Sequence, residues 1–274
     1  MHICLTIDQN YVDLAKICIY SIAACKHPDT EITFHILGNK VDNLDVLKQF
    51  EAKSNIKIEV KNILDLERKI PVKIASYPHL TNTCWIRYFL PELYPDLNRI
   101  LYLDADIIAK KDLTDLYKTD LNNKAIGAVK DFGINYFGNP PSDYSVYTSI
   151  NTGVMLMDLD QLRAMDYTKI CVERTCKNPD NDQVIMNQFM GNNIWFLPPI
   201  YNYSYHYTLL YGKAYTDINI WNKTYGTKYT SMKDLTDQSV LWHFHGNKMK
   251  QRKNTILNKI WSDYKTSVHQ FLHS

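Results

Sequence analysis

Three things are scarce in this chain: paired cysteines, long apolar runs and net charge. None of its six cysteines (Cys4, Cys18, Cys25, Cys84, Cys171, Cys176) belongs to a CxxC pair, and Cys171 and Cys176 stand five apart, outside zinc-knuckle spacing. They are expected to be reduced thiols. No stretch approaches the roughly 18 consecutive apolar residues of a membrane span, and Asp8 interrupts the opening MHICLTIDQN too early for a signal peptide. A cytoplasmic location is the expectation. With 31 Lys and Arg against 29 Asp and Glu, the formal charge is only +2, too little for bulk charge to mark a nucleic-acid binder. Repeats and a convincing linker are also missing, so a single domain is expected.

What remains is ordinary in amount and ordered in arrangement. The 274 residues are 45% hydrophobic, enough for a substantial core. Strand patterns at 2–7, 32–37 and 56–60 alternate with helical periodicity at 11–26 and near 43–53. That order predicts an α/β domain with a mainly parallel sheet. Further along, the pattern predicts a helix over 81–95 that Pro91 ends or kinks, then strands at 99–103, 125–129, 149–159 and 194–199. One helix is predicted across 160–177 and another at 182–190. Segment 131–149 reads as a loop, and 201–230, crowded with Tyr, Asn and Thr, as an aperiodic functional loop. A strand at 239–246 and a terminal helix at 255–272 close the chain.

The most pointed stretch is RILYLDADI, residues 99–107. A buried strand runs straight into Asp104 and Asp106, with only the small Ala105 between them. Open α/β folds bind ligands at the carboxyl ends of their strands. Two carboxylates converging there repel each other unless a cation intervenes. Hard oxygen ligands suit Mg²⁺ or Mn²⁺, and a diphosphate would add more. Far away, LWHFHG brings His243 and His245 to the end of another apolar strand. His243 is a third candidate ligand. Gly246, followed by Lys248 and Lys250, can wrap a diphosphate with backbone N–H groups and ammonium charge. Against this stand plainer roles: DxD also occurs at 158–160 and 180–182, where Asp158 or Asp160 suits a helix cap.

Together these segments, in order, resemble glycosyltransferase family 8, the retaining enzymes that include glycogenin and bacterial lipopolysaccharide galactosyl- and glucosyltransferases. The likeness runs over roughly residues 2 to 250. TIDQNYV at 6–12 is similar to the family's opening segment, and IRYFLPELYPDLNRILYLDADI at 86–107 to its arginine helix and metal-binding DxD. INTGVMLMDL, NDQVIMNQF and LWHFHG are similar to its later motifs. The resemblance implies a GT-A fold, a single Rossmann-like domain over 1–250 with a mixed, mainly parallel sheet flanked by helices, and a C-terminal extension at 251–274.

It also implies roles. Thr6, Asp8 and Asn10 would meet the base and ribose of a UDP-sugar, with Tyr11 stacking. Arg87 would lie beside the diphosphate or donor sugar, and Asp131, Asn151, Thr152 and Gly153 around the sugar. Asp182 and Gln183 would reach the anomeric region. Asp104, Asp106 and His243 would hold Mn²⁺, with Mg²⁺ as the alternative, and Gly246 with Lys248 or Lys250 would meet the phosphates. Two departures stand out: Met249 occupies the family's lysine position, and Gln9 and Val184 replace family acids.

The implied reaction moves galactose or glucose from UDP to an acceptor hydroxyl with retention, by double displacement or by same-face attack. A bacterial surface glycan or glycolipid is the expected acceptor, with no nucleic-acid partner. The basic, amphipathic C-terminal segment, with Ile256, Leu257, Ile260, Trp261, Tyr264 and Phe271, can rest on the inner membrane face, on the core, or on a partner. The competing readings are a catalytically silent sugar- or nucleotide-binding module and a metal-dependent sugar nucleotidyltransferase. The second predicts an N-terminal glycine-rich phosphate loop, and TIDQNYVDLA has no glycine.

Overall fold

Among the described residues the apolar runs become nine strands: β1 (His2–Asp8), β2 (Ile32–Asn39), β3 (Ile56–Asn62), β4 (Arg99–Leu103), β5 (Ile107–Ala109), β6 (Ile126–Lys130), β7 (Ile150–Asp158), β8 (Ile194–Phe196) and β9 (Leu241–His243). The structure is a computed structural model and describes residues 1–39, 41–72, 82–131, 149–204, 216–244 and 255–274. Seven strands form one sheet, ordered β3-β2-β1-β4-β7-β6-β8, while β5 and β9 make a separate pair. In the seven-stranded sheet β1 is parallel to β2 and β4, β2 to β3, and β6 to β8, and β7 alone runs antiparallel, between β4 and β6; β5 and β9 pair antiparallel. The sheet is mixed and mainly parallel, as the strand–helix alternation predicts.

Strand β4 shows why RILYL has no polar alternation. Leu101 and Leu103 face one core cluster, with Ile3, Leu5, Cys18 and Ile22. Ile100 and Tyr102 face the other, with Trp85, Tyr88, Met155 and Tyr167. A strand covered on both sides is apolar throughout. Ile100, Leu101 and Leu103 have no exposed surface, and each contributes roughly 1.5–3 kcal/mol by leaving water. Beyond Leu103 the strand ends and the carboxylates begin, Asp104 half-buried and Asp106 buried.

The direction of the strands then builds a rim. β1 and β4 are parallel, and β6 shares their direction because β7 opposes both. Their carboxyl ends therefore lie on one side, beside the start of β7.

Several expectations need correction. The helix foreseen at 160–177 is two, Leu159–Ala164 and Tyr167–Lys177, separated at Asp166, which takes a left-handed φ of 51°. The break re-aims the chain so that Tyr167 and Cys171 are buried. Pro91 does not stop a helix; it sits in the first turn of Leu90–Leu93, where its missing N–H costs nothing, after a 3₁₀ segment Asn82–Phe89. The helix foreseen near 43–53 is a 3₁₀ turn, Leu44–Phe50. Segment 201–230 is not all loop. It holds the helix Ile218–Tyr225, which Asp217 caps and Gly226 closes at φ 66°. Most of 131–149 and residues 205–215 lie outside the described residues.

The C-terminal helix Thr255–His273 turns Ile260, Trp261, Tyr264 and Phe271 onto the core, with Val268 buried and the Phe271 ring 5.3 Å from that of Tyr20. Of the membrane alternative, Ile256 stays outward, 51% exposed. No helix among the described residues is long and apolar enough to cross a membrane.

Candidate functional site

Register decides which side chains meet at the rim. Leu103 pairs with Leu5 on one side and Val154 on the other, so Asp104 follows level with Thr6 and Gly153. The Asp104 amide donates to the Gly153 carbonyl at 2.8 Å. On the second ladder, His243 stands opposite Ile107, immediately after Asp106, and the Phe244 amide donates to the Asp106 carbonyl at 3.1 Å. Two strands distant in sequence thus deliver an imidazole to the DxD pair.

The result is a compact Asp–Asp–His cluster whose potential ligand atoms all lie within 4.8 Å of one another. His243 Nε2 is 3.2 Å from Asp106 Oδ1 and 3.7 Å from Asp104 Oδ2. His243 has no exposed surface, and Asp106 is buried as well. Two carboxylate oxygens and an imidazole nitrogen form a donor set suited to Mn²⁺ or Mg²⁺. The backbone makes room for it at Gly153, where a Cβ would overlap the His243 ring and come within 2.8 Å of Asp104 Oδ2. The residues fit a divalent ion.

Asp104 is held with its two oxygens doing different work. Oδ1 accepts from the Tyr102 hydroxyl at 2.9 Å and from Arg87 Nη2 at 3.0 Å. Oδ2 is left on the His243 side. Thr6, expected at the base and ribose, is buried with Oγ1 2.9 Å from the Tyr102 hydroxyl. It supports Asp104 at one remove.

Arg87 is more deeply engaged than an arginine aimed only at phosphate. It is buried, donates Nε–H to the Cys84 carbonyl at 2.9 Å and Nη1–H to the Thr152 carbonyl at 2.7 Å, and lies over the Tyr102 ring at 4.2 Å. Nη1 is also 3.0 Å from Asp182 Oδ2, so one guanidinium joins Asp104 to Asp182. Burial works against its charge, but Asp182 and Asp104 outweigh it and keep Arg87 firmly protonated. Burial in turn lifts the Asp182 carboxyl above the usual range, with Arg87 opposing and Asp104 adding to the rise.

Asp182 opens the helix Asp182–Met190, behind the Asn181 cap. Its Oδ2 accepts from the Thr152 hydroxyl at 2.7 Å. Gln183 accepts from the Thr152 amide at 3.2 Å and donates to Asp131 Oδ2 at 2.5 Å. Asn187, another residue of the same motif, instead clips the start of β7, accepting from the Ile150 amide and donating to its carbonyl. Asn151 accepts from the Gly153 amide at 3.0 Å.

The residues expected at the base sit at the edge of this assembly. Asp8 accepts from the Asn10 amide at 2.9 Å, and Asn10, exposed, lines an open polar pocket of about 420 Å³ with Gln9, Lys16 and Asp42. Tyr11 feels Asp106, Asp104 and Asp8, and its phenol is pushed up chiefly by burial. Ala105 is buried between the two acids. Gly246, Lys248 and Lys250 lie outside the described residues, as does His245.

Sequence reasoning missed Asn202. It is buried at 4% exposure, 2.9 Å from His243 Nδ1, and donates to Asn151 Oδ1 at 2.9 Å. It stood in a tyrosine-rich stretch without periodicity, and nothing local marked it.

A solved structure of the galactosyltransferase LgtC with donor and acceptor sugar analogues superposes with a TM-score of 0.72 at 22% identity, covering 97% of this chain and 96% of that one. The fold is the GT-A arrangement. General stress protein A of Bacillus subtilis is 22% identical over 191 residues, 68% of this chain and 66% of its own length. Glycosyltransferase GlyF of Streptococcus pneumoniae is 26% identical over 209 residues, 73% of this chain and 48% of its own length. The chain thus aligns with only part of either curated relative. The model of glycosyl transferase family 8 matches residues 2–251. The chain belongs to that family.

Proposed function

We propose that the chain is a metal-dependent, retaining hexosyltransferase that moves galactose or glucose from UDP to an acceptor hydroxyl. The observation that carries the reading is the assembly of Asp104, Asp106 and His243 beside the Arg87–Asp182–Thr152 network at the sheet rim. Mn²⁺, or Mg²⁺ in its place, is the ion those three residues would hold. Such an ion supplies Lewis-acid stabilisation of the charge that develops as UDP leaves. The likeness to a galactosyltransferase makes UDP-galactose the first donor to try.

The protein's own part is positioning. Asp182 Oδ2 is taken by Arg87 and Thr152, and the Gln183 amide is used at both ends, by Thr152 and Asp131. Groups tied in this way orient a sugar better than they attack it. That favours same-face transfer, in which the departing phosphate accepts the acceptor's proton. Double displacement would require Asp182 to leave Arg87.

A surface glycan or glycolipid remains the proposed acceptor, and the cytoplasm the proposed location. Because the C-terminal helix spends most of its apolar face on the core, any contact with the inner membrane face would fall to Ile256 and the basic residues before it in sequence.

The test is UDP release from a panel of UDP-hexoses, with Mn²⁺ and with chelator. Metal-dependent release from one donor supports the reading and names the sugar. A folded protein that binds neither Mn²⁺ nor any UDP-sugar would sink it, leaving a silent module. Release of pyrophosphate from UTP and a sugar phosphate would instead identify a nucleotidyltransferase.

A further inference from the structure

The geometry points to Asn202 as the positioning residue that fixes which nitrogen of His243 faces the two carboxylates. The inference rests on the metal reading above but concerns a residue outside the ligand set.

The assignment starts from a donor that cannot change. The Gly153 backbone N–H donates to the side-chain oxygen of Asn151 at 3.0 Å. An amide's oxygen and nitrogen can be interchanged by a flip, but a backbone N–H only donates. Asn151 must therefore turn its oxygen toward Gly153. The Asn202 atom 2.9 Å from that same oxygen must then be a donor, its Nδ2. That leaves Asn202 Oδ1 facing His243 Nδ1 at 2.9 Å. An oxygen there requires Nδ1 to carry a proton. The proton is thus specified by a relay that begins at the β7 backbone.

With Nδ1–H committed to Asn202, Nε2 is the nitrogen presented to Asp106 at 3.2 Å and Asp104 at 3.7 Å. That is the tautomer a divalent ion needs, since a ligating nitrogen must offer a lone pair. The backbone secures the relay as well. The amide of Tyr203, next to Asn202, donates to the Leu241 carbonyl at 3.0 Å, and the His243 amide donates to the Tyr203 carbonyl at 2.9 Å. Asn202 is therefore held in line with β9, whatever its side chain does.

The first experiment is long-range ¹H–¹⁵N NMR of histidine-labelled, metal-free protein near pH 8, with His243 identified by its loss in His243→Gln. The expected result is the Nδ1–H form. A predominant Nε2–H form overturns the proposal, and the state itself is read on the wild-type protein.

The second measures the affinity for Mn²⁺ alone, by the paramagnetic resonance of free Mn²⁺, in wild type, Asn202→Leu and Asn202→Asp. Asn202→Leu removes the acceptor and is expected to lose the fixed tautomer and about 10–100-fold in affinity, the usual cost of an orienting partner. Asn202→Asp keeps an acceptor and is expected to keep Nδ1–H. A folded Asn202→Leu protein with wild-type affinity and tautomer overturns the inference. If wild type binds no Mn²⁺, the metal reading fails, while the tautomer measurement still decides the role of Asn202.

Discussion

Gly153 and His243 approach each other so closely that a Cβ on the glycine would overlap the imidazole. His243 is fully buried and tied to Asn202, so it has little room to yield. Gly153→Ala is expected to displace the ring, lower Mn²⁺ affinity at least about tenfold, and cost roughly 1–3 kcal/mol from overpacking. Calorimetric titration and a denaturation curve check both. Unchanged affinity would mean that the ring is not a ligand.

Asp106 offers a cleaner separation of binding from stability. It sets a buried carboxyl group beside that of the half-buried Asp104. Asp106→Ala is expected to abolish detectable Mn²⁺ binding and metal-dependent UDP release, while ion-free stability changes by less than about 1 kcal/mol. A large drop in ion-free stability would assign Asp106 to the scaffold instead.

Arg87 should behave in the opposite way. It is buried between Asp104 and Asp182. Arg87→Met leaves Asp182 without its cation and is expected to destabilise the ion-free protein by about 3–5 kcal/mol, as removal of one partner from a buried pair does. Urea denaturation reads this directly. A neutral result would show that water reaches Asp182.

A second buried histidine supplies a pH dependence remote from the rim. His35 Nε2 is 3.0 Å from His2 Nδ1, and its Nδ1 is 3.1 Å from Glu59. Burial pushes its pKa down from 6.5 to about 4, against the pull of Glu59. Between those values the unfolded chain takes up a proton that the folded chain resists, so stability is full above 6.5 and falls as pH drops toward 4. The expected loss is roughly 1–3 kcal/mol. His35→Leu should flatten that slope in denaturation curves at pH 7.5 and 5. An equal slope in the variant would assign the loss to carboxylates.

How much of this was legible in the sequence differs by region, for physical reasons. Strands β1, β2 and β4 were readable because burial on both faces makes their runs largely apolar, edge strand β3 because Ile56, Ile58 and Val60 alternate with Lys57, Glu59 and Lys61, and the DxD because two acids ended an apolar run. The Asp158 cap was also readable, and it accepts from the Gln161 amide at 3.0 Å. The break at Asp166 was not, since helical periodicity continues through it and only tertiary packing demands the turn. The helix Ile218–Tyr225 carried an Asp217 cap and a Gly226 stop that were masked by the surrounding tyrosines. The relay through Asn202 had no local signature, because its partners come from β7 and β9. The full set of Arg87 contacts was hidden for the same reason.

The pairing of β5 with β9 has a consequence for how the molecule is made. The ligand cluster is a contact of high sequence separation, and such contacts form late because a long loop must close first. An ion bound there favours only chains that have brought their final third home. Such an ion would act as a clasp on topology: at 100 times its dissociation constant it would add about 2.7 kcal/mol to that closure. Starved of the ion, the same chain should open first at β9, and a protease would find that seam before it found the sheet.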